Sequence, residues 1–244
     1  MDTNLRNTNF EKLEYATITR ENKLLRSSFS WMALAMLLTS FTAIAFAYTP
    51  SLLSLLFTQT ETGAKLSILA YIVMFAPLIF VMAIGFGFQR FSYATLIGLF
   101  VAYSVINGIS FSTIFLIYDI GSIGKVFLST TALFAVMAIA GYTTKTDLSK
   151  LGTLLMIGLI GIVIASLINF FMHSERMDYI ISILGVIIFT GLTAYDVQKI
   201  KNLGYEASGT GIASKLGIMG ALTLYLDFIN LFLFLLRLFG GKKE

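Results

Sequence analysis

The sequence predicts an all-α integral membrane protein with seven transmembrane helices. Three observations carry that prediction. Of 244 residues, 57% are hydrophobic and 12% charged, whereas soluble domains carry about 25% charged residues. The mean hydropathy is +0.86. The apolar residues also fall in long runs, and about 20 in a row span the roughly 30 Å hydrocarbon core as a helix.

Residues 1–28 form a polar N-terminal segment, with Arg6, Lys12, Arg20, Lys23 and Arg26 set against Asp2, Glu11, Glu14 and Glu21. Seven spans are then expected over 29–48, 66–88, 93–118, 126–143, 151–172, 179–194 and 216–238. They make one membrane domain covering 29–240, followed by a short tail, 241–244. Ala45-Phe46-Ala47 resembles a signal-peptidase site. However, the polar region before it is long, and the apolar run exceeds the usual 7–15 or so residues of a signal peptide, so an ordinary first span is the better reading. Pro50 follows that span. Pro77 sits inside the second, where it removes a backbone donor and is expected to kink the helix. The longest connector, near 195–215, carries Lys199, Lys201 and Glu206.

Cytoplasmic segments are enriched in Lys and Arg. With the N-terminus inside, Arg6, Lys12, Arg20, Lys23, Arg26, Arg90, Lys145, Lys150, Lys199, Lys201 and Lys215 are cytoplasmic. Lys65, Lys125, Arg176, Arg237, Lys242 and Lys243 lie opposite, a bias of eleven to six. A re-entrant last segment would make it fourteen to three, but the seventh run is long enough to cross. The expected arrangement is therefore an N-terminus in the cytoplasm and a C-terminus across the membrane.

The chain has no cysteine and a single histidine, His173, in a polar loop. That excludes disulfides and thiolate chemistry, and it leaves almost nothing for a zinc site or a Ser-His-Asp triad. The net charge of +4 reflects loop charges that set orientation and gives no nucleic-acid footprint. No cofactor is implied.

Ionisable groups at membrane depth are costly and face a cavity or a partner. Of thirteen acids, eleven fall in termini or loops. Asp227 lies about eleven residues into the last span, roughly 16 Å deep, and no Lys or Arg inside the spans neutralises it. Its plain reading is a neutral carboxylic acid bonded to a nearby carbonyl, since burial penalises the charged form. Asp196 closes the sixth span beside Lys199 and Lys201, where it also reads as a helix end. If the two acids meet, they cannot both ionise cheaply, and a shared proton would bind them. The same oxygens suit a hard cation such as Ca²⁺. Asp196 looks shallow and Asp227 deep. Either the sixth helix enters further than Lys199 suggests, or the seventh starts later than Leu216. Ser104, Asn107, Ser110, Ser112, Thr113 and Asn169 read as helix-joining polar groups. Asn230 shares a face with Asp227. Gly217 and Ala221 make a small-xxx-small pair.

These residues resemble the Bax inhibitor family, the transmembrane Bax inhibitor motif family, in its bacterial form. The likeness rests on Thr193-Ala194-Tyr195-Asp196-Val197-Gln198-Lys199-Ile200-Lys201 and on Ala221-Leu222-Thr223-Leu224-Tyr225-Leu226-Asp227-Phe228-Ile229-Asn230-Leu231-Phe232, with Leu235-Leu236-Arg237 after it. Thr144-Lys145-Thr146-Asp147-Leu148-Ser149 also fits, and the likeness covers essentially all of 29–240. It implies a bundle in which the last helix is surrounded by the other six. It also implies a monomer in a bacterial cell membrane, and a pH-sensitive calcium leak whose sensor is Asp196 and Asp227. Asn230, Arg90, Tyr195 and Tyr225 are candidate supporting residues, and Asp196 and Asp227 are candidate Ca²⁺ ligands. The sequence departs from the pattern in span two, which lacks an acid and a latching arginine; the nearest arginine is Arg90. Other bacterial members resemble modulators of a membrane-bound ATP-dependent protease, so a non-conducting partner protein is the alternative. An enzyme is not expected, because no intramembrane aspartyl protease motif surrounds the two aspartates.

Overall fold

A computed structural model describes residues 2–60, 63–206 and 212–243. Its helices are α1 (Asp2–Tyr48), α2 (Pro50–Leu53), α3 (Ile68–Gly87), α4 (Tyr93–Phe111), α5 (Ile114–Ile117), α6 (Ile120–Thr143), α7 (Ser149–Met172), α8 (Glu175–Glu206) and α9 (Ala213–Phe239). A small antiparallel hairpin, β1 (Phe57–Thr60) and β2 (Gly63–Leu66), pairs Phe57 with Leu66 and Thr58 with Lys65. Among the described residues, seven helical stretches are long and apolar enough to cross a membrane, as the sequence predicts.

Local chemistry explains the element ends. Ser92 accepts Thr95 N at 3.1 Å to start α4, and Asp119 accepts Ser122 N at 3.0 Å to start α6, which satisfies donors that a helix N-terminus leaves free. Ser67 accepts Ala70 N at 3.2 Å and donates to Leu55 O at 2.7 Å, tying α3 to the end of the α2 turn. α3 continues through Pro77 without interruption.

Four features differ from expectation. The expected span 93–118 breaks at Ser112, where Ser112 and Thr113 hydroxyls donate to Ile109 O and Ser110 O at 2.6 and 2.9 Å. Such back-bonding competes with the helical ladder. The hairpin between α2 and α3 has only four-residue strands, too short to show a periodicity. The sixth helix does not stop near Ala194 but runs to Glu206. Its charges end the hydrophobic run and leave the helical stripe intact, for Val197 and Ile200 are both buried. Part of the connector expected at 195–215 is thus helix, and its residues 207–211 lie outside the described residues. α1 crosses the expected boundary at residue 28 as one continuous helix, with Leu24, Leu25 and Ser28 already buried.

α9 is the axis of the bundle. Two thirds (67%) of its apolar window is buried, against 11% for α3 and for α7. Its extensive packing is with α8, α1, α6 and α4, whereas α3 rests chiefly on α4, and α7 on α8. The encirclement expected from all six other helices therefore comes from four of them. α3 and α7 are too far out, and their surfaces are left to lipid. Beyond α9 the chain turns back: Asp119 N and Lys243 N donate to Gly241 O and Ile117 O, both at 2.9 Å. This strap fastens the C-terminal end to the α5–α6 turn.

Candidate functional site

Asp196 and Asp227 meet in the interior. Asp227 is 3% exposed and Asp196 7%, and their carboxyl groups lie within hydrogen-bonding reach of each other. Asp227 Oδ2 is buried with no hydrogen-bond donor among the described residues. Two carboxyls cannot bond one another without a proton between them, and a proton or a cation between them would satisfy this oxygen. The depth mismatch seen in the sequence is resolved by α8. Asp196 sits ten residues before the helix end at Glu206, about 15 Å in. Asp227 sits fourteen residues after Ala213, about 21 Å in. The sixth helix enters further than Lys199 suggests, and the seventh begins earlier than Leu216. Lys199, one turn past Asp196, acts on it electrostatically, and its Nζ lies 5.7 Å from the centre of the Tyr195 ring.

Close backbone contacts on either side fix α8 at this level. A Cβ at Gly141 of α6 would collide with the Ala194 carbonyl, and one at Gly152 of α7 would enter the Tyr195 ring. A third grip comes from Gln198, two residues past Asp196. Its Nε2 donates to Thr146 O and its Oε1 accepts Leu148 N, both at 2.8 Å. Thr146 and Leu148 belong to the α6–α7 turn, where Asp147 Oδ1 accepts Ser149 N at 2.9 Å. Hydrogen bonds from Ser149 hold the exposed Asp147 carboxyl below its usual range. Lys201 closes the set, donating to Tyr142 O at 3.1 Å with Nζ 4.9 Å from the centre of that ring. The motif 144–149 and the motif 193–201 are thus two halves of one contact.

The other candidates fall elsewhere. Tyr225 lies two residues from Asp227, about 200° around the helix, and faces away from the pair. Its hydroxyl is 2.8 Å from Thr39 Oγ1, which also donates to Ser104 O at 2.9 Å, and its ring meets Tyr103 at 5.4 Å. Asn230 spends its amide on Leu226 O of its own helix at 2.8 Å, so its Nδ2 is not directed to the carboxyl pair. Arg90 is exposed in the α3–α4 turn, on a hairpin that packs away from α8, and it forms no ion pair among the described residues. Among the described residues an ion pair joins Arg237 to Asp178 at 3.4 Å, exposed, at the far end of the bundle. No group of three or more His, Cys, Asp or Glu that could hold a metal occurs among the described residues. Gln198, Gly141, Gly152 and Thr39 were not singled out from the sequence. Gln198 alone carried a signal, as an amide inside the charged end of an apolar run.

Residues 21–244 match the family described as Inhibitor of apoptosis-promoting Bax1. The Escherichia coli (strain K12) inner membrane protein YbhL is 42% identical over 219 residues, covering 88% of this chain and 90% of that protein. A Borreliella burgdorferi protein is 40% identical over 232 residues, covering 95% and 97%. A Streptococcus pyogenes membrane protein, M6_Spy0327, is 35% identical over 221 residues, covering 90% and 93%.

Proposed function

The chain belongs to the Bax inhibitor family, and on that premise we propose that it is a pH-sensitive cation leak, with Ca²⁺ as the permeant ion, gated by Asp196 and Asp227. The observation that carries the reading is a buried carboxylate oxygen, Asp227 Oδ2, whose neighbour is a second buried carboxyl and not a donor. With one proton between them, the carboxyls bond α8 to α9. Without it, two buried anions face each other and repel. Low pH therefore favours the closed bundle and higher pH an open one. Two carboxylates offer at most four oxygens, and Ca²⁺ takes six to eight or so, with water completing the shell. That suits an ion in transit better than one held. The setting is a bacterial inner membrane, as the name of the Escherichia coli relative suggests, with the N-terminus cytoplasmic by the charge bias. Purified protein in liposomes should release Ca²⁺ faster as pH rises through neutrality; no flux at any pH would refute the leak.

A second reading has its own support. α1 begins at Asp2, while its membrane-crossing part begins at Lys23. The difference is about 30 Å of helix outside the span, a length that suits docking on another membrane complex such as an ATP-dependent protease. Loss of partner binding on removing residues 2–20, with flux intact, would separate the two roles.

A further inference from the structure

α1 and α6 both pack on α8 and α9, yet between them lies a cleft of about 440 Å³. Val197 of α8 forms its floor, Leu25 and Phe29 one wall, and Ala138, Ile139 and Tyr142 the other. Phe29 also meets Phe134 of α6 edge to face at 6.5 Å. The rim is cationic. Arg26 lines it, Lys23 is exposed one turn earlier on α1, and Lys201 is fastened to the Tyr142 wall. Among the residues whose side chains are described, no carboxylate lines the cleft, and neither Arg26 nor Lys23 pairs with one.

We propose that this cleft binds one anionic phospholipid, with the upper part of an acyl chain against Phe29 and Val197 and the phosphate on Arg26. The walls are hydrocarbon and open to the lipid-facing perimeter, where an apolar slot favours a chain over water. Arg26 is three residues inside the start of its span at Lys23, at the depth of the headgroups. A guanidinium binds phosphate through two parallel hydrogen bonds, and basic pockets between transmembrane helices suit anionic headgroups. Charge complementarity thus selects an anionic lipid over a zwitterionic one. The binding does not depend on whether the protein conducts, although the floor residue Val197 adjoins Asp196.

The full-length protein in detergent would be titrated with phosphatidylglycerol and with phosphatidylcholine of the same chains. Bound lipid would be counted by native mass spectrometry and unfolding temperature followed in parallel. One phosphatidylglycerol should be retained in preference to phosphatidylcholine. Arg26→Gln should weaken its retention about five-fold, the effect of one charge near a headgroup. Arg90→Gln, which removes an exposed arginine remote from the cleft, should leave it unchanged. Ile139→Trp, at a largely exposed wall position, should block retention with Arg26 intact. Equal retention of the two lipids, indifference to Arg26→Gln in a folded variant, or the same stabilisation by glycerol phosphate alone would each overturn the proposal.

Discussion

Thr39 Oγ1 and Tyr225 OH lie 2.8 Å apart across the α1–α9 interface, on the side of α9 turned away from Asp227. α9 therefore carries a neutral polar clasp on one face and the carboxyl pair on the other. Tyr225→Phe removes one bond while Thr39 keeps Ser104 O. Bonds of this kind between membrane helices contribute about 0.6 kcal/mol on average. The variant should lose about that much in a detergent or bicelle unfolding assay and keep the wild-type pH dependence. A shifted pH midpoint would place Tyr225 in the gate.

Asp227→Asn supplies an amide that donates to Asp196 whether or not that carboxyl is ionised. The closed contact should persist at all pH values, and flux should vary by less than about two-fold over about two units either side of neutrality. Asp196→Asn should do much the same. The double variant should add little, because the groups act as a unit. Full wild-type pH profiles in both single variants would remove the pair from gating.

Arg90 is exposed and remote from α8. Arg90→Ala should leave flux, its pH profile and thermal stability unchanged within error. A loss of pH response would show that a latch forms in a state unlike this one.

Gly141 lets α6 touch the α8 backbone at Ala194. Gly141→Ala forces the two helices apart and should cost about 1–3 kcal/mol, the usual range for overpacking. Gly161→Ala, on the lipid side with open space around it, should be neutral. Equal stability of the two variants would contradict the packing described here.

The bias of Lys and Arg toward the N-terminal side and the odd number of spans predict termini on opposite sides of the membrane. Reporter fusions after Lys150 and after Lys243 should give opposite signals, and one side for both would defeat the seven-span topology.

The order and number of spans, the position of Asp227 inside the last of them and the Lys and Arg asymmetry were legible from the chain, because bilayer insertion responds to local composition over about 20 residues. The end of α8 was not, because Lys199 and Lys201 end a hydrophobic run while the buried stripe through Val197 and Ile200 continues the helix. Only the tertiary structure decided that Asp196 and Asp227 meet, and that Gln198 ties α8 to the α6–α7 turn. It also decided that Tyr225 faces away from the pair and that α9 is enclosed by four helices. Each of these depends on where two helices cross, and a crossing is set by close contacts such as Gly141 on Ala194, between residues more than fifty positions apart. Hydropathy is summed along the chain and does not contain that information. Family likeness suggested the pairing of the two aspartates, and the depth of α8 in the bundle gives its physical basis.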